Sequence, residues 1–547
     1  MNNEEAFVEF KRLEKKKKSI KINERGWNII ALIVMALIVN VVTIIYSCVS
    51  KDIYYWSTAE SWNIAIKIAG GAYRPNLWGE VYNSIINLDF NFLSSLLPAL
   101  FIKIFGQTRL VYLISLANCY FVSAEIAIYF LAKKIGKAPL VTMFLSMLTV
   151  PASFYMMIRG FSEISGLFIS IICINLYFTN TKEKSILRAV IIGLLLALLV
   201  LISNVYLFFS ISFATAMIGE SIILRKKINK SVISILTMIV ILLVFFKDYI
   251  TGRIIALYGN GSFDFNFVLN TKFLVRYFGL IFMVVLIGVS IYITISKQER
   301  KTIFLWLELI ICYIMLTATK MHGQLHILLY LPSVTALFVL CVKYIEKEKI
   351  LLGVVALSIC QSASVFINRE QPQNVEDIKY YSPLPSFSLR APVRSSSEDI
   401  LSLKHSLDNL VGEGEYLGVL SYSNSMNADM LNNVELSLNK KQYRRNYIAF
   451  TIPCFDSINP DISPLCNANY MLVPTKFQTI ADNQNILVTA TESFWKWENI
   501  ARAYEELYEY ETYIDGVSYK VFRRVRNVTD AEKRQFIQAL NEKLNNN

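Results

Sequence analysis

Asp52 is the residue around which chemistry can be built. It follows an apolar run, Trp27 to Val49, long enough to cross the hydrocarbon of a bilayer as a helix. Ile53-Tyr54-Tyr55-Trp56 come next, then a long polar and aromatic stretch, then Asn87-Leu88-Asp89-Phe90-Asn91 ahead of a second apolar block. A carboxylate where a membrane helix meets water keeps its charge and can face a lipid headgroup. A general base acting on a lipid-linked substrate would have to stand there. The plainer alternatives are a solvated helix end for Asp52 and a helix N-cap for Asp89.

If the leaving group is a lipid phosphate, the site also needs fixed positive charge. Candidates on the same face are Arg74, Arg109, Arg159, Arg253, Lys272, Arg276 and the run Lys320-Met321-His322-Gly323-Gln324-Leu325-His326. His322 and His326 are four apart and would share a helix face if that segment is helical. The alternative for the run is a set of interfacial polar residues anchoring a helix end.

The frame for these residues is a bundle of membrane helices. Apolar stretches predict spans near 27–49, 109–131, 138–157, 163–178, 189–203, 205–222, 231–247, 273–295, 302–319, 325–342 and 350–367, about eleven crossings. The formal net charge is +12, with 54% apolar residues. The basic residues cluster in short loops between apolar blocks, as at Lys133/Lys134/Lys137, Arg225/Lys226/Lys227/Lys230 and Lys343/Lys347/Lys349. That is the positive-inside pattern, not a nucleic-acid signature, so no nucleic-acid partner is expected. With the basic N-terminus 1–26 inside, every later cluster falls inside, and an odd number of spans puts the C-terminal region outside. The first apolar stretch is too long for a cleavable signal. The expected location is the plasma membrane.

Two regions lie outside the spans of the 27–367 membrane domain. The outer loop 50–108 contains Ser57 to Ala69, which reads as an amphipathic helix on the membrane surface, and a short apolar piece, Asn91 to Phe105, that carries Lys103. The tail begins with a Pro- and Ser-rich linker, 368–398. Residues 399–547 read as a small extracytoplasmic α/β domain, with strands at Tyr416 to Tyr422, Tyr470 to Pro474 and Tyr519 to Arg523 and a helix at Ala531 to Leu544. Cys454 and Cys466 are the two cysteines of this tail. An outer location would allow them to form a disulfide, and two thiols are the alternative.

No P-loop, glycine-rich dinucleotide fingerprint, Asp-x-Asp motif or zinc-like Cys/His spacing is found. The sequence thus names no metal site and no cofactor, while leaving room for a divalent ion. A soluble nucleotide donor is disfavoured, and an activated donor used outside would be carried on a lipid.

The run Asp52-Ile53-Tyr54-Tyr55, then Asp89-Phe90-Asn91-Phe92-Leu93, then Lys103-Ile104-Phe105-Gly106, then Arg109-Leu110 resembles the first outer loop of the GT-C membrane glycosyltransferases, such as the protein O-mannosyltransferases and the lipid A aminoarabinose transferase. The Glu that usually follows the first Asp and the Pro-Pro after the second acidic residue are missing here. The likeness implies a polytopic α-helical membrane protein with a GT-C-like domain and an outer α/β domain. It also implies inverting transfer of a sugar from a polyprenyl-phosphate donor to an outer acceptor, which would be a glycan, lipid or protein. Asp52 would be the base and Asp89 would position the acceptor. Tyr54, Tyr55, Arg74, Arg109, Arg159, Lys320, His322 and His326 would contact substrate. A flippase for a lipid-linked sugar and a non-catalytic scaffold are the rival readings. A transporter keeps ionisable groups near the midplane, and here Glu125 and Glu308 are the only acids well inside spans.

Overall fold

Each predicted span coincides with a helix or with a bent pair of helices in the computed structural model. Described residues are 24–71, 76–87, 92–179, 185–225, 228–254, 266–319, 323–368, 381–438, 440, 447–451, 461–479 and 484–546. Among them, six helices are long and apolar enough to cross a membrane, or eight if each bent pair is one span. The chain is therefore a multi-pass membrane protein. The remaining apolar helices, Leu93–Phe105, Ile164–Tyr177, Ile186–Ile202 and Asn229–Phe245, fall short of that length.

Burial separates helices of similar apolar character. The Glu24–Val49 helix leaves Ile33, Leu37, Val41 and Ile45 more than half exposed, as a helix at the lipid boundary would. The Ile327–Lys343 helix is covered almost all round despite Pro332 in its middle, and it packs against helices on several sides. An element apolar on every face belongs at the centre of a bundle.

Both bent pairs have local causes. Pro139–Thr149 and Ala152–Ile158 meet at 69° across Val150-Pro151, where proline removes a helical N–H. Phe267–Phe278 and Leu280–Ser296 meet at 94° across Gly279, so the predicted span 273–295 is two helices and not one straight rod. Gly279 has φ +74°, and a Cβ there would stand 2.9 Å from Leu384 Cα. The amides freed at the new helix start are not lost. Leu280 N donates to Ser382 O at 2.9 Å, and Ile281 N donates to Pro383 O at 3.1 Å. The segment expected as a linker thus runs, from residue 381, as an extended strap on the membrane helices. Phe387 is buried between Tyr155 and Tyr277, with ring centroids 5.0 and 5.2 Å away.

The tail folds into a five-stranded sheet of order β2-β1-β3-β5-β4. Strands β1 (Glu415–Val419), β2 (Tyr447–Thr451) and β3 (Tyr470–Pro474) are parallel, and β5 (Val517–Arg524) runs antiparallel to β3 and to β4 (Tyr504–Ile514). β3 is buried at every position, as a central strand covered on both faces must be. The expected strands and the final helix, Asp530–Asn546, are present. β2 and β4 and the helices Ser397–Leu410, Ala428–Ser437 and Asn485–Lys496 are added to them. Cys466 is buried on the Ser463–Asn467 helix. Cys454 lies outside the described residues, and with it the bridge expected between the two.

Candidate functional site

The first helix ends at Val49, and its last carbonyls would be orphans without partners. Ser50 N returns to Tyr46 O at 2.9 Å. Arg109 supplies the rest. One guanidinium nitrogen donates to Asp52 O at 2.7 Å, and the other to Ser47 O at 3.0 Å and Ser50 O at 2.7 Å. Arg109 is 1% exposed, and its fork is spent on main-chain carbonyls. Expected to contact substrate, Arg109 here clamps the main chain at and just after the helix end.

Beyond the clamp the chain is extended and is held from the other side by the C-terminal region. Lys51 N donates to Pro392 O at 2.9 Å. Tyr54 N donates to Ser437 Oγ at 3.1 Å, Asn433 Nδ2 to Tyr54 O at 3.4 Å, and Trp56 N to Asp429 Oδ2 at 2.9 Å. Tyr55 Oη bonds Asn424 Oδ1 at 3.3 Å. The Asp52 segment and the C-terminal domain therefore lie on the same side of the bundle. Burial pushes the Asp429 carboxyl above its ordinary range, and the Trp56 N–H opposes that shift.

Between these supports the Asp52 carboxylate opens into a cavity of about 300 Å³. Oδ1 accepts the Ile53 N–H at 3.0 Å, and Oδ2 lies 3.7 Å from Arg159 Nη1. The Asp52 side chain is 26% exposed, so it is held yet reachable. Arg159 follows the Ala152–Ile158 helix, 5.4 Å above the Tyr155 ring. The far wall is the turn Gly323-Gln324-Leu325-His326. Gly323 N donates to His326 Nδ1 at 2.6 Å. In a neutral ring that acceptor fixes the proton on Nε2, so the imidazole is a donor at its other nitrogen.

Tyr54 shapes the floor. Its ring packs edge-on to Trp62 at 5.2 Å, and Arg109 lies 5.8 Å over its face. Gly160, at φ +87°, is required beside it, since a Cβ there would fall 2.6 Å from the Tyr54 hydroxyl. Tyr54 is 4% exposed, and burial raises its phenol pKa, so it stays neutral.

The structure thus brings Asp52, Tyr54, Tyr55, Arg159 and His326 to one cavity and takes Arg109 out of it to a supporting position. Asp89, Arg74, Lys320 and His322 lie outside the described residues. Tyr155, Phe161, Thr58 and Val205 also line the cavity. No sequence signal pointed to them, nor to the C-terminal domain residues that hold the motif from more than 370 positions away. Among the described residues, no group of three or more His, Cys, Asp or Glu is arranged to hold a metal.

A second cavity, about 250 Å³, lies between the bent pair Phe267–Ser296 and the Lys301–Thr319 and Ile327–Lys343 helices. Phe278, Phe282, Trp306 and Leu309 line it, and its character is almost wholly apolar.

The whole architecture has solved counterparts. ArnT from Cupriavidus metallidurans bound to undecaprenyl phosphate matches with TM-score 0.57 at 10% identity, over 91% of this chain and 98% of that one. Its apo form matches with TM-score 0.55 at 9% identity over the same shares. The chain has the GT-C fold. The archaeal oligosaccharyltransferase AglB from Archaeoglobus fulgidus, in complex with an inhibitory peptide and a dolichol-phosphate, aligns at TM-score 0.42 and 12% identity over 82% of this chain and 69% of that one. No protein-family model matches the chain, and no curated protein matches its sequence. With identities this low, the GT-C likeness is one of fold.

Proposed function

We propose that the chain is an inverting glycosyltransferase that moves a sugar from a polyprenyl-phosphate donor to an acceptor at the outer face of the plasma membrane. One observation carries the reading. A reachable carboxylate, an arginine and a histidine with a fixed tautomer, drawn from three distant parts of the chain, converge on one cavity where a membrane helix ends.

In this reading the acceptor hydroxyl enters beside Asp52. Its oxygen attacks the anomeric carbon from the face opposite the phosphate, and a new glycosidic C–O bond forms. The bond from the anomeric carbon to the phosphate oxygen breaks, and that oxygen keeps the electron pair. The hydroxyl proton passes to the Asp52 carboxylate. Arg159 and His326 stabilise charge on the departing lipid phosphate, a task suited to preorganised donors. Tyr54 and Tyr55 shape the acceptor side, and Asp89 positions the acceptor as the motif implies. The apolar cavity among the helices suits the prenyl chain, whose apolar area would remain out of water there. ArnT was solved with undecaprenyl phosphate bound, which supports the same donor class here.

The test is transfer of labelled sugar from polyprenyl-phosphate sugars to cell-envelope material by the purified protein in nanodiscs. Asp52→Asn keeps size and removes basicity, so transfer should fall by about 10²-fold or more while the protein stays folded. Near-normal transfer by this variant would remove Asp52 as the base.

A further inference from the structure

The outer domain carries a pocket that the transfer site does not use. It lies where β3 ends, between the Asn485–Lys496 helix and the β4–β5 hairpin, with a volume of about 220 Å³. Its walls are the indoles of Trp495 and Trp497, and its base holds Glu506 and Lys520 on neighbouring strands, with carboxylate and ammonium 2.7 Å apart.

The two tryptophans are held differently. Trp495 Nε1 donates to Pro474 O at 2.8 Å, and Phe477 lies on its ring at 4.6 Å, so this indole is fixed. Trp497 caps the helix at φ +56°. That left-handed position normally takes glycine or asparagine, since a side chain there costs energy. Here it holds the largest side chain of all, 42% exposed, its ring edge-on to Phe522 at 5.5 Å. Phe522 covers one part of the indole and leaves the rest open, where the C–H face of a ligand could pack.

Two aromatic contacts and a main-chain bond lead from this pocket to the Asp52 cavity. Trp56 lines that cavity and meets Tyr422 at 5.4 Å. Tyr422 N donates to Gln478 O at 2.9 Å, and the neighbouring Phe477 is the residue on Trp495. Phe477, Trp495 and Trp497 are each about two-fifths exposed.

We infer that the Trp495/Trp497 pocket binds one sugar ring of an extended glycan acceptor whose growing end lies at Asp52. A pyranose fits its mixed character. The apolar ring face stacks on Trp497, and the hydroxyls at its edge meet a carboxylate acceptor and an ammonium donor, Glu506 and Lys520. A lipid acyl chain would leave that ion pair covered and unused. A peptide would not need paired indole faces. The choice of a glycan as acceptor rests on the proposed transfer reaction, but sugar binding at this pocket does not.

The two are separated by measuring binding and transfer on the full-length protein in nanodiscs. The binding probes are neutral hexasaccharides of glucose, galactose, mannose and N-acetylglucosamine, titrated calorimetrically. At least one should bind saturably. Trp497→Ala should weaken it about ten-fold, and Trp497→Phe by less. Glu506→Gln, which keeps the pocket's shape, should weaken it as well. In transfer assays Trp497→Ala should raise KM for a polymeric acceptor and leave kcat, and transfer to a monosaccharide acceptor, unchanged. No binding by any hexasaccharide, or binding indifferent to both Trp497→Ala and Glu506→Gln, overturns the inference. Binding that depends on Trp497 in a protein with no transfer activity would keep the sugar site and sink the glycosyltransferase reading.

Discussion

The two sides of the Asp52 cavity are built in opposite ways. The side that carries Asp52 is over-determined. Arg109 holds the carbonyls of Ser47, Ser50 and Asp52, and the C-terminal domain holds the amides of Tyr54 and Trp56. The facing side is a short turn, Gly323 to His326, closed by Gly323 N on the histidine ring and by His326 N on Gly323 O at 2.9 Å. A base must meet its proton at hydrogen-bond distance, so its backbone needs many restraints. A phosphate clamp acts through charge over a longer range and tolerates looser support. In the proposed reaction this would separate proton transfer at Asp52 from donor binding at the turn.

The comparison is sharpest at Asp52 itself, where Asp52→Asn should cost transfer at least about 10²-fold and donor binding little. Next in size is the clamp. Arg109→Ala leaves three carbonyls at a buried helix end without their charged donor. Unfolding in detergent should show a loss on the order of 3 kcal/mol. Arg109→Lys should rescue little of it, because one ammonium cannot span the fork. If Arg109→Ala kept wild-type stability and lost only donor affinity, the clamp would be wrong and the phosphate role originally expected for Arg109 would return.

Arg109 also shows how far a sequence can be read. Residue type and position put it beside the site, and it is beside the site. What it does there depends on where the first helix ends in space, and that is a tertiary fact. Arg159, an arginine of the same expected role, faces the carboxylate instead. The helices were legible because a long apolar run has one reading in a bilayer. The bend at Gly279 was not, since it depends on the strap at Ser382–Leu384 that receives the freed amides. In the outer domain β3 was plain as a short apolar strand. β4 was hidden by its composition, YEELYEYETYI, whose glutamates belong to an edge strand half open to water. The grip of Ser437 and Asp429 on the motif joins positions too far apart for any local pattern to record.

At Arg159, which faces the carboxylate, the expected effects are smaller. Arg159→Ala should raise KM for the donor about ten-fold, with a modest change in kcat, while the fold stays intact. An equal loss in kcat alone would move Arg159 from donor binding to the transition state. On the firm side, Asp429→Asn keeps an acceptor for the Trp56 N–H and should be close to neutral in unfolding experiments. Asp429→Ala removes the acceptor and should cost about 1 kcal/mol. If the two behaved alike, the outer domain would not be holding the motif through this bond.

The smallest effect tests whether the C-terminal domain is firm enough to serve as that support. Its last helix starts with a capping box. Thr529 N donates to Glu532 Oε2 at 2.9 Å, and Glu532 N donates to Thr529 Oγ1 at 3.3 Å. Arg526 adds hydrogen bonds to both Glu532 oxygens, at 2.6 and 2.9 Å. Those bonds outweigh burial and hold the Glu532 carboxyl down at about 2. A carboxylate with a lowered pKa adds stability that is complete above its ordinary value, about 4.3, and is lost as the pH falls through the folded value. The outer domain should therefore begin to loosen as the pH drops from about 4 towards 2, followed by the fluorescence of Trp495 and Trp497 on the helix packed beside it. Glu532→Gln cannot ionise, so it should start less stable and show a shallower slope over that window. Identical acid profiles for the two proteins would mean that this cap carries no stability, and the domain's hold on Asp52 would have to come from its sheet alone.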